Sequence, residues 1–148
     1  MDVVSQQTKH VEEACPECGA PKQEGMGCWE QLGLLIAWEA EDPELAAEHF
    51  KIVSSYNLQH PAMFTDQSLA GLRDVFIQHL DEGMSVSDMR KVVGQASEGR
   101  TRVLRDKSDR RPVLRRWSMT IADVYIPDQP DNAAHRVRTW AEPIRSEL

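Results

Sequence analysis

The segment Cys15-Pro16-Glu17-Cys18-Gly19, followed by Cys28, constrains this chain more than any other stretch, because it places three thiols in a region with little apolar material to fold around. Residues 15–28 also hold Pro21, Gly25 and Gly27, which favour an irregular knuckle over a helix or a strand. Such a knuckle must be fixed by something other than its own core. Zinc takes four tetrahedral ligands of thiolate or imidazole type, and a CxxC followed by glycine lets the backbone curl round an ion. Cys28 supplies a third thiolate at the start of the first helix, where unpaired amides and the helix dipole stabilise negative charge. Two other readings of the same residues are three unliganded thiols and a redox-active CxxC pair. The redox pair belongs after a strand at a helix start, and no βαβ pattern is visible.

Beyond the knuckle the pattern is helical, and the 148 residues suit a single domain, 15–148, behind a polar tail at 1–14. The expected fold is mainly α, a small bundle of about five helices with an N-terminal zinc knuckle. Leu32, Leu35 and Ile36 fall on one face of a helix from Cys28 to about Glu41, and Asp42-Pro43 stops it and caps the next. That second helix is expected to run unbroken from Pro43 to His60, carrying Leu45, Ile52, Val53 and Tyr56, until Pro61 ends it. A third helix spans Ser68 to Gly83, and Ser85 with Asp88 starts a fourth over residues 86–98. Trp117 to Val124 reads as an extended segment or a short helix. Asn132 caps a last helix that Pro143 shortens.

Helical rise selects the fourth ligand. From Cys28 the first helix climbs about 14 residues to the turn at Asp42, and the second must descend a similar count to regain that height. His60 then lies level with Cys28, whereas His49 stops roughly 16 Å short along the axis. The predicted metal ligands are Cys15, Cys18, Cys28 and His60, with His49 as the alternative fourth.

The same counting suggests a second constellation. Glu39, His49 and His79 fall at one level of three antiparallel helices, each on its helix's apolar stripe. Buried ionisable groups need partners. Two His and a carboxylate could form an open catalytic metal site with Tyr56 as a proton donor, but a hydrogen-bonded Glu-His pair that fixes helix register is favoured, because one carboxylate is few for a redox-active bundle site. A metalloenzyme is therefore one alternative to a structural zinc protein.

The net charge of -7 is unevenly spread: residues 100–116 carry eight Arg or Lys against two Asp. This basic strap could grip a nucleic acid or lie across the protein's own acidic surface. The second is favoured, because no aromatic residue among its charges can stack on bases. A protein partner is the remaining expectation. The apolar stretch from Leu32 to Trp38 is far short of the roughly 20 residues that cross a bilayer, and the polar start MDVVSQQTKH has no signal-peptide centre. The expected location is the cytoplasm, with no membrane partner.

The knuckle, Tyr56-Asn57-Leu58-Gln59-His60-Pro61 and Trp117-Ser118-Met119-Thr120-Ile121-Ala122-Asp123-Val124 together resemble a bacterial family of unknown function over most of the chain. The family pattern joins a CPxCG knuckle and a further Cys to an acidic residue, a His, a YxLQHP motif and a His-Leu, matched by Glu39, His49, Tyr56 to Pro61 and His79-Leu80. It ends with a TxADV segment and a His-containing Trp-Ala helix, matched by Thr120 to Val124, His135 and Trp140-Ala141. The resemblance implies no activity. Two departures are Val53-Ser54-Ser55-Tyr56, where the family has Val-Asp-Ala-Tyr, and Pro143 in a helix that the family continues.

Overall fold

The structure, a computed structural model, describes residues 14–85, 87–88, 90–91 and 102–148. Six α-helices lie among them: α1 (Cys28–Ala37), α2 (Pro43–Ala47), α3 (His49–Leu58), α4 (Asp66–Glu82), α5 (Ile121–Val124) and α6 (Ala133–Glu147). No strand is found among the described residues, only isolated bridges at Gln23 with Met26 and Phe64 with Leu104. The fold is mainly α, as the apolar periodicity predicts. The expected tail and most of the expected helix 86–98 lie outside the described residues, although Ser85 Oγ does accept the Asp88 N–H at 3.1 Å.

Helix α1 buries Leu32 and Leu35 and ends in a 3-10 turn over Trp38–Ala40. The Asp42 side chain then accepts the Leu45 N–H at 3.1 Å, and Pro43 opens α2 without losing a needed donor. The expected single helix over 43–60 is two. Glu48 departs from helical geometry (φ -98, ψ 11), and its carboxylate is held by Lys51 at 3.3 Å. Pro61 acts as predicted: it disfavours helical backbone at His60 (φ -129, ψ 60), and α3 ends at Leu58.

Helix α4 starts two residues before the expected Ser68, capped by Thr65, whose side chain accepts the Ser68 N–H at 3.3 Å. Gly83 (φ +69) stops it in the left-handed conformation that glycine adopts without strain. Asn132 precedes α6 but makes no side-chain cap. Pro143 does not shorten α6, which continues to Glu147. The reason is burial: Val137, Trp140, Ala141 and Ile144 form one stripe that is almost wholly excluded from water on both sides of the proline.

Packing follows from these stripes. Helix α3 lies against α6 and α4, while α1 meets α3 and α5. One hydrophobic cluster reaches from Cys18 and Ala20 in the knuckle through Leu35, Ile52 and Phe76 to Ile144. The strap crosses this body. Arg105 N–H bonds Met63 O at 2.9 Å and Thr65 N–H bonds Val103 O at 3.0 Å, so residues 103–105 pair with the turn that follows His60. Further on, Arg115 N–H bonds Glu17 O in the knuckle at 3.0 Å.

Candidate metal centre

The knuckle is built from backbone hydrogen bonds before any metal is considered. Gly19 (φ +78) turns the chain so that its N–H reaches Cys15 O and the Cys15 N–H reaches Ala20 O, both at 2.9 Å. Inside this turn the Glu17 and Cys18 amides both point at Cys15 Sγ at 3.4 Å, and the Ala20 amide points at Cys18 Sγ at 3.4 Å. Amides aimed at sulfur favour the thiolate form. A second tight turn brings Cys28 back: Gln23 and Met26 exchange backbone bonds of 3.1 and 2.9 Å around Glu24 (φ 52) and Gly25 (φ 79).

The fourth donor comes from the end of α3. His60 Nδ1 donates to Tyr56 O at 2.6 Å, which fixes the tautomer and leaves the Nε2 lone pair for the cysteines. That nitrogen stands 3.6 Å from Cys15 Sγ and 3.4 Å from Cys28 Sγ. In a tetrahedral zinc site with bonds of about 2.0–2.1 Å to nitrogen and 2.3 Å to sulfur, the nitrogen–sulfur edge is roughly 3.5 Å. All four ligand atoms of Cys15, Cys18, Cys28 and His60 lie within 4.8 Å of one another. The donor set fits zinc in number, type and spacing.

Electrostatics point to a cation at this place. Hydrogen bonds from Cys18 and then Cys28 hold the Cys15 thiol far below its usual range, while the bond to Cys15 pushes Cys18 far up. Burial resists charging His60, yet its bonds to Cys15 and Cys28 prevail and raise it to about 10. Three sulfurs crowded together thus compete for protons and draw positive charge onto the imidazole. A divalent ion would satisfy them all at once. Burial, followed by its contact with Cys28 Sγ at 3.4 Å, raises the Tyr56 hydroxyl, so it stays protonated beside the sulfur. Its ring stacks on His60 at 4.0 Å.

The second predicted constellation does not assemble. Glu39 and His49 do meet, with 2.7 Å between Oε2 and Nδ1, but His49 is 51% exposed and the pair lies at the surface. His79 instead contacts Lys51 Nζ through Nε2 at 3.2 Å and bonds Met84 O through Nδ1 at 2.8 Å. Two physical reasons account for this. The break at Glu48 makes His49 the first residue of α3. Lys51, two residues on, points to roughly the opposite side of that helix, and that is the side His79 meets. His49 is likewise not the fourth ligand position, which His60 occupies. A groove of about 270 Å³ opens elsewhere, between Glu17, Ala62 and Asp66 on one side and Arg105, Arg111 and Val113 on the other.

Three residues that support the centre were not singled out from the sequence. Gln31 is fully buried in α1, and its Nε2 donates to Pro21 O at 3.0 Å and Met26 O at 2.9 Å, the two ends of the loop that delivers Cys28. Gln23 joins it, donating to Gln31 Oε1 and Tyr125 O, both at 2.8 Å. Glu17 is buried as well, and its carboxylate accepts the Ala62 N–H at 2.8 Å. A polar residue on the Leu32–Leu35 face of α1 is the signal that identifies Gln31. Nothing comparable marks Gln23 or Glu17.

Fold and site together define a mainly helical protein with an N-terminal Cys3His cluster. Residues 13–148 match a family of unknown function (DUF5946), and the chain belongs to that family. No curated protein and no solved structure matches the chain.

Proposed function

We propose that the protein is a zinc protein in which one ion, held by Cys15, Cys18, Cys28 and His60, staples the knuckle to the helical body. The observation that carries this is the convergence of the four ligand atoms within 4.8 Å, with His60 Nε2 free to face the sulfurs. Thiolate-rich donors select zinc or iron over hard cations, and the closed set of four protein ligands favours a structural role over an open catalytic one. Free cysteines suit a reducing compartment such as the cytoplasm, and no described helix is long and apolar enough to cross a membrane.

Elemental analysis tests the assignment. Purified protein is expected to carry close to one zinc per chain, and Cys15→Ser to lose the metal and melt at a lower temperature. Metal-free protein as isolated, or an unchanged melting point in the variant, would sink the reading.

The physiological role that fits this architecture is an interaction module. Its support is the strap, where Val113 (73%) and Leu114 (52%) are exposed beside Arg110 and Arg111, whose guanidinium groups bond only backbone carbonyls among the described residues. A protein partner with acidic and apolar residues fits that surface. Nucleic-acid binding by the same strap would differ in a measurable way, with affinity that falls steeply as salt is raised.

A further inference from the structure

The three sulfurs of the centre are not equally protected. Cys15 Sγ receives two backbone amides, and Cys18 Sγ receives one and is 2% exposed. Cys28 Sγ receives no backbone amide among the described residues, and the residue is only partly buried; besides His60 Nε2, the sulfur's one polar neighbour is the Tyr56 hydroxyl at 3.4 Å. Hydrogen bonds to a metal-bound thiolate draw charge from sulfur and blunt its attack on electrophiles. Cys28 also opens α1, at the join between the knuckle and the helical body. Its neighbour Trp29 is 67% exposed.

We propose that Cys28 is an oxidant-sensing thiolate, and that its reaction with a peroxide opens the knuckle and releases the strap at Arg115. This rests on the zinc assignment above. The Cys28 thiolate attacks one oxygen of hydrogen peroxide, breaking the O–O bond to give a sulfenic acid and hydroxide. The Cys15 thiolate, the other partly exposed sulfur, then attacks the sulfenic sulfur, forming the Cys15–Cys28 disulfide and expelling a second hydroxide. The two sulfurs lose two electrons in all, peroxide gains them, and both hydroxides are protonated by the buffer acid. Only Cys18 and His60 remain as donors, too few to retain the ion.

The consequence reaches the strap through Glu17, which lies between the first two ligands. Its carbonyl accepts the Arg115 N–H at 3.0 Å and its carboxylate accepts the Ala62 N–H at 2.8 Å. Loss of the knuckle's shape therefore breaks the strap's backbone anchor at Arg115, while the bonds of residues 103–105 to Met63 and Thr65 remain.

The test uses the zinc-loaded full chain, with its metal content measured first. Hydrogen peroxide is added while zinc release is followed with a colorimetric chelator, sulfenic acid is trapped with dimedone, and disulfides are mapped by mass spectrometry. The expected result is one zinc released per chain, first trapping at Cys28, a Cys15–Cys28 disulfide, and faster tryptic cutting after Arg115 and Arg116. Tyr56→Phe keeps the ring on His60 but removes the hydroxyl beside Cys28. It should hold one zinc yet release it about fivefold faster, the factor that one ordinary hydrogen bond represents. First trapping at Cys15 or Cys18, or zinc retained under peroxide, overturns the proposal; so does unchanged tryptic cutting after zinc has left. Should Tyr56→Phe fail to fold, iodoacetamide on the zinc-loaded natural chain decides the same point, with first alkylation at Cys28 expected and at another cysteine fatal. A chain isolated without zinc refutes the earlier assignment instead.

Discussion

Gln31 shows how one buried amide can organise a site it does not touch. Its Nε2 holds the carbonyls of Pro21 and Met26, and its Oε1 accepts from Gln23, so the loop between Cys18 and Cys28 closes on a single side chain. Gln31→Leu would fill similar space but leave the part-buried Pro21 and Met26 carbonyls without this donor, and is expected to destabilise the zinc-loaded protein by about 1–2 kcal/mol in urea unfolding. A loss under about 0.5 kcal/mol would mean that water replaces the amide. At this scale the sequence was partly legible. Cys15, Cys18 and Cys28 are recognisable because few arrangements use that spacing, and His60 follows from counting rise. Glu17 and Gln23 were not, because their roles depend on where Ala62 and Tyr125 arrive, and sequence spacing carries no such information.

At the scale of elements, apolar periodicity located α1, α4 and α6 within a few residues, but it missed the division between α2 and α3. Glu48 has an ordinary helix propensity; what turns the chain there is tertiary, since its carboxylate faces Lys51 and also lies near Arg138 of α6. The grouping of Glu39, His49 and His79 failed with the unbroken helix it assumed. Pro143 was misread for the opposite reason, because the local rule holds but is outweighed by the burial of Trp140, Ala141 and Ile144. The cost of that proline should still be present. Pro143→Ala restores a donor to Thr139 O and removes the ring clash, and is expected to stabilise the protein by about 1–2 kcal/mol after allowing for the freer unfolded chain. Thermal melts would register a rise in Tm, and an unchanged Tm would show that α6 has already absorbed the distortion.

For the whole molecule, the knuckle contributes only Cys18 and Ala20 to the buried cluster, whereas the helices contribute nearly all the rest. Chelation is therefore expected to loosen residues 15–28 while sparing most far-UV helical signal, with hydrogen exchange rising in the knuckle first. The metal-free form should lose stability toward both ends of the pH range, and the metal-loaded form chiefly in acid. His60 is raised from 6.5 to about 10, so its stabilisation without metal is complete below 6.5 and is lost as pH climbs through about 10. Cys15, held ionised, contributes stability above the ordinary thiol value of 9.0 that falls away as pH drops, while Cys18, kept protonated by Cys15, adds an alkaline penalty like that of His60. The loaded form loses stability in acid because protons compete with the ion for thiolate and imidazole. Urea midpoints measured from pH 5 to 10, with and without chelator, should draw apart as pH rises. Parallel curves would contradict the picture.

The contact between Cys28 and His60 ties positions 32 apart in the chain, and the ring it closes contains the whole of α1, α2 and α3. A cross-link across a loop of that size removes conformational freedom from the unfolded chain worth roughly 3.5 kcal/mol, on the same footing as a disulfide. Unlike a disulfide, this ring shuts most readily once α3 has formed and ended at Pro61, because the Tyr56 carbonyl then holds the His60 Nδ1–H and turns Nε2 toward the sulfurs. Ion capture then comes late in assembly and acts as a checkpoint, closing a knot around helices that have already found their partners.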